Sequence, residues 1–148
     1  MIPKPPPVID HARLLHYAIL DQSVGYSGHT SPFVDGKEPG RVPCLAICSD
    51  PRFQKVFLFH CDDQWDVLGC AGYATVEVAK AGAEHIYPGV SSSWIDSHVT
   101  EQEAERFLDE LWGDERCSIC NKRGHQVEEL HGQGSGWICD GCLARDTR

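Results

Sequence analysis

The stretch FQKVFLFHCDDQWDVLGCAGY, residues 53–73, decides the fold. The apolar side chains of its first half fall on both faces of an extended strand, with Phe57, Phe59 and Cys61 on one face and Val56 and Leu58 on the other. Two apolar faces are typical of a central strand that is covered on both sides. The second half alternates through Trp65, Val67, Gly69, Ala71 and Tyr73, after the polar turn Asp62-Asp63-Gln64. The stretch therefore predicts a β-hairpin.

Two further strands are predicted on the N-terminal side of this hairpin. Val42–Cys48 begins beside a proline and ends at Ser49-Asp50-Pro51. Arg13–Leu20 is a short apolar run that is compatible with a strand or with the middle of a helix capped by Asp10. Its shortness, and the Gly/Ser/Pro-rich loop predicted over residues 23–40, favour the strand.

Two helices are predicted after the hairpin. The first is capped by Thr75 and ends at Pro88-Gly89, and its apolar stripe is Val76, Ala79, Ala83 and Ile86. Gly82 inside it costs about 1 kcal/mol relative to alanine. The second begins with the capping box Thr100–Glu103, in which Glu103 can reach back to the Thr100 amide, and it ends at Gly113. Its apolar face is Ala104, Phe107, Leu108 and Leu111.

Strands followed by helices predict an α+β domain, an antiparallel sheet of about four strands packed against two helices. The chain of 148 residues suits one such domain with a small appendage. We place an acidic α+β domain at residues 1–112, which begins with a Pro-rich arm at 1–7, and a small cysteine-rich module at 113–148. The fold class is thus α+β with a small C-terminal module.

The charges of the two segments argue against a nucleic-acid partner. Residues 1–112 carry 8 basic and 16 acidic groups, and residues 113–148 carry 5 and 6. Neither segment has the basic excess that nucleic-acid binding normally requires. No apolar run approaches the roughly 18 residues that span a bilayer, and the first residues lack the apolar core of a secretory signal. We therefore expect a cytoplasmic protein that binds no membrane.

Four of the eight cysteines form two C-x-x-C pairs, Cys117-Ser-Ile-Cys120 and Cys139-Asp-Gly-Cys142, with 18 residues between them. Two-residue spacing lets both thiolates of a pair face one ion while backbone amides donate to the sulfurs. Four thiolates fill a tetrahedral site, so the pattern predicts one structural Zn²⁺ per chain and no catalytic metal. Disulfides and redox catalysis are the alternatives, but no signal peptide and no βαβ context accompany the pairs. His125 and His131, between the pairs, are interpreted as surface residues.

The segment Cys117–Leu143, CSICNKRGHQVEELHGQGSGWICDGCL, resembles the four-cysteine zinc-binding domain at the N-terminus of the Clp unfoldase ClpX. Beyond the cysteines, the likeness includes Ser118, Lys122, His125, Val127, Leu130, a Gly/Ser-containing turn and Ile138-Cys139-Asp140. The resemblance implies a treble-clef or zinc-ribbon-like finger whose zinc ligands are Cys117, Cys120, Cys139 and Cys142. It also implies a homodimer or a docked substrate or adaptor protein. No P-loop motif accompanies it, so the chain is not an unfoldase ATPase.

The other four cysteines, Cys44, Cys48, Cys61 and Cys70, form no C-x-x-C pair and are interpreted as buried core residues. A second metal site built from the first three and His60 is the alternative. His60, Asp62, Asp63 and Asp66 cluster around the hairpin turn, where turn chemistry is favoured over a divalent cation site. Trp65, Trp94 and Trp112 are expected at the margin between sheet and helices, with an interaction hot spot as the alternative.

No set of residues matches a known catalytic arrangement, so we expect a protein that is not an enzyme. The leading hypothesis is a recognition protein whose acidic domain attracts a basic protein partner while the zinc module binds a second partner or a second copy. The alternative is a toxin-neutralising or immunity-type protein, because Val56–Trp94 resembles small bacterial proteins of that kind. An enzyme and a nucleic-acid-binding zinc protein are the less favoured classes.

Overall fold

The computed structural model describes residues 2–27, 40–50, 53–112, 117, 119–120, 130–133, 136–139 and 141–142. The chain divides into two compact units, Met1–Ala104 and Glu105–Arg148. The boundary predicted at residues 112/113 stays a prediction. In the described part, none of the helices combines the length and the apolar character that a membrane crossing requires.

The first unit is built on a six-stranded antiparallel sheet of order β1-β2-β3-β4-β5, with β6 paired to β2. The strands are β1 (Val8–Ile9), β2 (Ala12–Ile19), β3 (Cys44–Ser49), β4 (Val56–Cys61), β5 (Val67–Tyr73) and β6 (Ile95–Asp96). The α+β class and the four longer strands are confirmed, and Arg13–Leu20 is a strand. The two-residue strands β1 and β6 were not predicted. The predicted loop over residues 23–40 lies partly outside the described residues.

The hairpin of β4 and β5 is confirmed, but a β-bulge interrupts its register. Cys61 lies opposite Val67 and His60 lies opposite Gly69, so Leu68 is the extra residue. Beyond the bulge the side chains exchange faces, because a strand alternates with a period of two. The prediction that Trp65, Val67 and Tyr73 share a face is therefore wrong: Trp65 and Val67 belong to one apolar cluster and Tyr73 to the other.

Apolar side chains cover both faces of the sheet, as the two-sided pattern of β4 predicts. The first cluster contains Leu58, with Val56 packed against it, and is closed by the helix α1 (Val76–Ile86) through Ala79, Ala83 and Ile86. The second cluster, on the opposite face, contains Phe59 and Cys61 and is joined by Trp65 and by Ile2 of the N-terminal arm.

The first helix begins and ends as predicted. Thr75 accepts a hydrogen bond from the Val78 amide at 3.2 Å, and Gly89 after the helix has a φ of 98°, which favours glycine. Gly82 has a packing role, because a Cβ there would lie 2.5 Å from the hydroxyl oxygen of Tyr73. Glycine lowers the intrinsic stability of the helix, but it allows the Tyr73 ring to pack directly against the helix backbone.

The second helix, α2 (Glu101–Trp112), has the predicted N-cap. The Thr100 hydroxyl accepts a hydrogen bond from the Glu103 amide at 3.1 Å, and the Glu103 carboxylate lies 3.4 Å from the same hydroxyl. Ala104 and Leu108 are buried as expected, but Leu111 is 61 % exposed. The predicted apolar stripe is therefore buried in the first part of the helix and exposed at Leu111, in its last turn.

Candidate metal centre

The four C-terminal cysteines come together. The Sγ atoms of Cys117, Cys120, Cys139 and Cys142 all lie within 4.8 Å of one another, and those of Cys120 and Cys139 are 3.7 Å apart. Four sulfurs placed tetrahedrally about 2.3 Å from one zinc ion lie about 3.8 Å from one another. A disulfide requires about 2.05 Å. The spacing therefore fits a shared ion, and all eight cysteines are unbridged.

Short local elements bring the two pairs to one point. The strands β7 (Leu130–Gln133) and β8 (Gly136–Cys139) form an antiparallel hairpin in which Cys139, the last residue of β8, lies opposite Leu130. Cys117 forms an isolated parallel bridge with Trp137, which sets the first pair beside the end of the hairpin. Gly141 and Cys142 have helical backbone. The last ligand position is thus fixed immediately after the strand.

The surroundings of Cys117 favour its thiolate, which is the form that binds a metal. Burial is the largest single influence and raises its pKa, but hydrogen bonds to the sulfur together outweigh it. The donors are the backbone amides of Cys120, Cys139 and Ile119 and the side chain of Cys120. The balance lowers the pKa of Cys117 from 9.0 to about 6. The predicted donation of backbone amides to a ligand sulfur is present at this residue.

The donor set defines what the centre can hold. Four soft sulfur donors in a tetrahedral arrangement suit zinc or iron rather than magnesium or calcium, which prefer oxygen. Cys117, Cys139 and Cys142 are buried, whereas Cys120 is exposed and forms the solvent side of the centre. A site with four protein ligands leaves no open position for a substrate. His125 and the side chain of His131 lie outside the described residues.

The cysteines of the first unit do not form a second centre with His60. Cys44, Cys48 and Cys61 lie in the second apolar cluster, whereas the His60 ring lies 6.1 Å from that of Tyr87, a member of the first cluster. Burial raises the pKa of Cys44 to about 11 and that of Cys61 to about 12. These three residues are buried thiols of the core, as interpreted.

Cys70 corrects that interpretation, because it is exposed. It lies opposite Phe59 on β5, the last strand of the sheet order. The side chains of an end strand are flanked by a neighbouring strand on one side only. Cys70 was predicted to be buried because cysteine is usually buried. Its position on an end strand leaves it exposed instead.

The acidic turn is held by its own hydrogen bonds. Oδ1 of Asp62 accepts from the amides of Gln64 at 2.8 Å and Asp66 at 3.0 Å, which is the turn chemistry favoured for aspartate. Within the part of the chain that the structure describes, the four C-terminal cysteines are the one set of three or more ligand residues close enough to share an ion.

Trp65 has a role that the sequence did not indicate. Its indole Nε1 donates to the carbonyl oxygen of Pro3 at 2.7 Å, and its ring meets Tyr17 edge to face at 5.8 Å. Trp94 packs against the first cluster, at the expected margin. A tryptophan near a turn gives no local sign that its ring anchors a segment 62 residues earlier.

No model of a known protein family matches the chain, and neither the curated proteins nor the solved structures contain a significant match. The resemblance of the C-terminal segment to the ClpX-type domain therefore rests on the residues quoted above. What the structure adds is the four-cysteine cluster itself.

Proposed function

We propose that this protein is a non-enzymatic recognition protein whose C-terminal segment is a zinc-stabilised, ClpX-type finger that docks a protein partner or a second copy of the chain. The observation that carries the proposal is the meeting of four cysteine sulfurs within 4.8 Å of one another. A closed four-thiolate zinc site stabilises a fold and performs no chemistry on a substrate. The function of such a site is then to keep the surface residues of the C-terminal segment in a fixed arrangement for a partner.

The order of elements supports a treble-clef-like finger. A C-x-x-C pair is followed by the β7–β8 hairpin, and the last cysteine lies where helical backbone begins at Gly141. So small a segment cannot bury enough apolar surface to fold by itself. Zinc binding supplies the free energy of folding in such modules, on the order of 10 kcal/mol or more.

Exposed apolar residues of the second unit support a docking role. Ile119, inside the first C-x-x-C pair, and Leu111, near the end of α2, are each 61 % exposed. An isoleucine held rigidly between two metal ligands gives a partner an ordered apolar contact at little entropic cost. In the ClpX-type family, which this segment resembles, the same module forms dimers and docks other proteins.

Metal analysis of the purified full chain tests the zinc centre. We expect one zinc per chain in the wild type and none in Cys117→Ser or Cys142→Ser. Cys70→Ser is the matched control, because it removes an exposed cysteine far from the pairs in sequence and should keep one zinc. A wild type without zinc would refute the centre, and a second zinc would show that another site exists.

Docking is tested with a variant that leaves the metal in place. Ile119→Asp keeps all four cysteines, so it should retain one zinc per chain. We expect the wild type and Cys70→Ser to form a dimer in sedimentation or to retain a partner by cross-linking, with cross-links in residues 117–142. Ile119→Asp should lose that association at least tenfold. Equal association in Ile119→Asp and the wild type would contradict docking through this surface.

A toxin-neutralising role is the second candidate, and the charge of residues 1–112 favours it. This segment has 16 acidic and 8 basic groups, and an acidic inhibitor associates quickly with a basic nuclease through electrostatic steering. The test is inhibition of a cross-linked partner's nuclease activity by the purified chain. Inhibition that weakens steeply between 50 mM and 300 mM salt supports this role, and an inactive partner argues against it.

A further inference from the structure

A groove of about 220 Å³ on the second face of the sheet combines aromatic and acidic walls. Its lining residues are Asp10, Asp50, Phe53, Phe57, Phe59 and Cys70. They come from the turn before β2, the residue after β3, the segment before β4, the strand β4 and the strand β5. No local pattern in the sequence therefore predicts the groove.

The aromatic wall consists of three phenyl rings packed against one another. The rings of Phe57 and Phe59 are nearly parallel, with centroids 6.1 Å apart, and Phe53 meets Phe57 edge to face at 5.8 Å. Phe53 is 48 % exposed, which is unusual for so large an apolar side chain. Ring faces carry the negative part of the aromatic quadrupole and attract cations.

The acidic wall is set by an unusual turn. Asp10 and His11 join β1 to β2 with φ angles of 49° and 68°, the left-handed conformation that two-residue hairpin turns require. Aspartate tolerates this conformation better than most residues. Asp50, the residue after β3, also belongs to the lining but is 3 % exposed, so Asp10 is the carboxylate on which the acidic wall depends.

The chain's own Lys55 shows that these rings accept a cation. Its Nζ lies 5.5 Å from the centroid of the Phe57 ring, and its side chain runs past Gly72, within 3.2 Å of where a Cβ would stand. Lys55 is not part of the groove lining. The aromatic wall thus already has one cation beside it.

We propose that this groove binds the side chain of an arginine from a protein partner. A planar guanidinium can stack flat on a phenyl ring and donate two parallel hydrogen bonds to a carboxylate at the same time, whereas an ammonium is a compact charge without that planar fork. A volume of about 220 Å³ is smaller than the roughly 300–1,000 Å³ of pockets for whole small molecules, and it suits one side-chain head. Among the described strands, β5, which carries Cys70 of the lining, pairs with β4 alone and is an end strand of the sheet.

The inference rests on the proposed function in that the arginine belongs to a protein partner. The groove lies within residues 10–70 and the four-cysteine cluster within 117–142. A binding test with a small probe on the zinc-loaded full chain therefore separates the two proposals. Loss of probe binding with one zinc per chain would contradict only the groove, and absence of zinc with intact probe binding would contradict only the metal centre.

The experiment is an NMR titration of the full chain, labelled with ¹³C in its phenylalanines, with N-acetyl-arginine amide. We expect saturable shifts of the Phe53, Phe57 and Phe59 signals, with a dissociation constant of about 1–10 mM as befits a single side chain. N-acetyl-citrulline amide, of the same shape without the charge, should shift them at least fivefold less at equal concentration.

Two variants and one control complete the test. Asp10→Asn keeps a residue type that adopts positive φ, and Phe53→Leu replaces an exposed ring, so both should fold and both should weaken binding at least fivefold. Asp63→Asn removes the same charge from an exposed site outside the groove and should bind within twofold of the wild type. The proposal is overturned by equal shifts with citrulline, by shifts that never saturate up to 50 mM, or by equal weakening in Asp63→Asn.

Discussion

Buried cysteines occur in both units of this protein, and their surroundings give them opposite chemistry. In the first unit burial raises the pKa of Cys44 to about 11 and that of Cys61 to about 12. In the second unit hydrogen bonds from backbone amides and from the Cys120 side chain bring the pKa of Cys117 down to about 6, against the effect of burial. A cysteine whose sulfur accepts such hydrogen bonds favours the thiolate, whereas one packed among apolar side chains stays a thiol.

His60 extends the comparison to a second residue type. It is fully buried, and among the described residues neither ring nitrogen has a hydrogen-bond partner. Burial lowers the pKa of His60 to about 4, so the ring stays neutral in the folded protein. The first unit thus buries ionisable groups in neutral form, whereas the second stabilises a charged one. Four experiments test this contrast, in order of decreasing effect.

Removal of the metal should have the largest effect, and only on the second unit. Zinc binding supplies on the order of 10 kcal/mol to such modules, so a chelator should unfold the segment that contains β7 and β8. Hydrogen exchange measured with and without chelator should show lost protection at residues 130–133 and 136–139. Amides of β3 and β4 should keep theirs. Equal loss of protection in both units would show that the core of the first unit also depends on the metal.

Acid should destabilise the first unit through His60. The unfolded chain takes up a proton near pH 6.5, whereas the folded ring resists protonation until about pH 4. The unfolded state binds more protons in this window, so the folded state loses stability as the pH is lowered. The free energy of unfolding should fall by about 3 kcal/mol on going from pH 6.5 down to pH 4. Urea unfolding of β-sheet signals at several pH values measures it.

A matched pair of variants assigns that pH dependence. His60→Leu should remove most of the fall between pH 6.5 and pH 4, because no ring remains to be protonated. His98→Asn should leave the fall unchanged, since the His98 side chain is 86 % exposed. An equal slope in His60→Leu and the wild type would mean that other groups set the acid sensitivity.

Serine substitution should separate a core cysteine from the edge cysteine. Cys48→Ser places a hydroxyl among apolar side chains and should lower the free energy of unfolding by about 1–3 kcal/mol. Cys70→Ser, at an exposed site, should change it by less than about 0.5 kcal/mol. Zinc content should stay at one per chain in both. A Cys48→Ser variant as stable as the wild type would contradict the packing described for the second cluster.

Alkylation should sort the eight cysteines into three classes without any change in stability. Iodoacetamide should modify Cys70 alone in the zinc-loaded protein, giving one adduct by mass spectrometry; burial raises the pKa of its thiol, so the reaction should be faster at pH 9 than at pH 7. After chelation we expect five adducts, because the four ligand thiols become accessible. Cys44, Cys48 and Cys61 should react only when urea unfolds the first unit. Fast modification of any of these three in the folded protein would mean that their burial is not maintained in solution.

The parts of the fold that follow from nearby residues could be predicted from the sequence. The two apolar faces of β4, the caps at Thr75 and Thr100 and the arrangement within each C-x-x-C pair depend on spacings of two or three residues along the chain. Such spacings act the same way in any surroundings. The same holds for Asp62, whose turn hydrogen bonds stay within four residues.

What depends on distant partners could not be predicted. The bulge at Leu68 is a mismatch of one residue between β4 and β5, so it depends on how the two strands pair. The alternating pattern of β5 alone does not predict it. The exposure of Cys70 follows from strand order. The groove gathers residues from position 10 to position 70, so it appears only after the sheet is assembled. Leu111 is a further example: helical periodicity places it on the apolar face of α2, but periodicity does not show that the last turn leaves it exposed.

The hydrogen bond from Trp65 to Pro3 also bears on how the protein is made. Its two ends are 62 residues apart, and a ribosome adds about 5–20 residues per second. The proline arm therefore waits about 3–12 s for its anchor to be synthesised, and meanwhile the second apolar face lacks the Trp65 ring. A chaperone that meets the nascent chain during this interval would find exposed apolar surface. A truncated chain that ends before Trp65 should remain bound to such a chaperone.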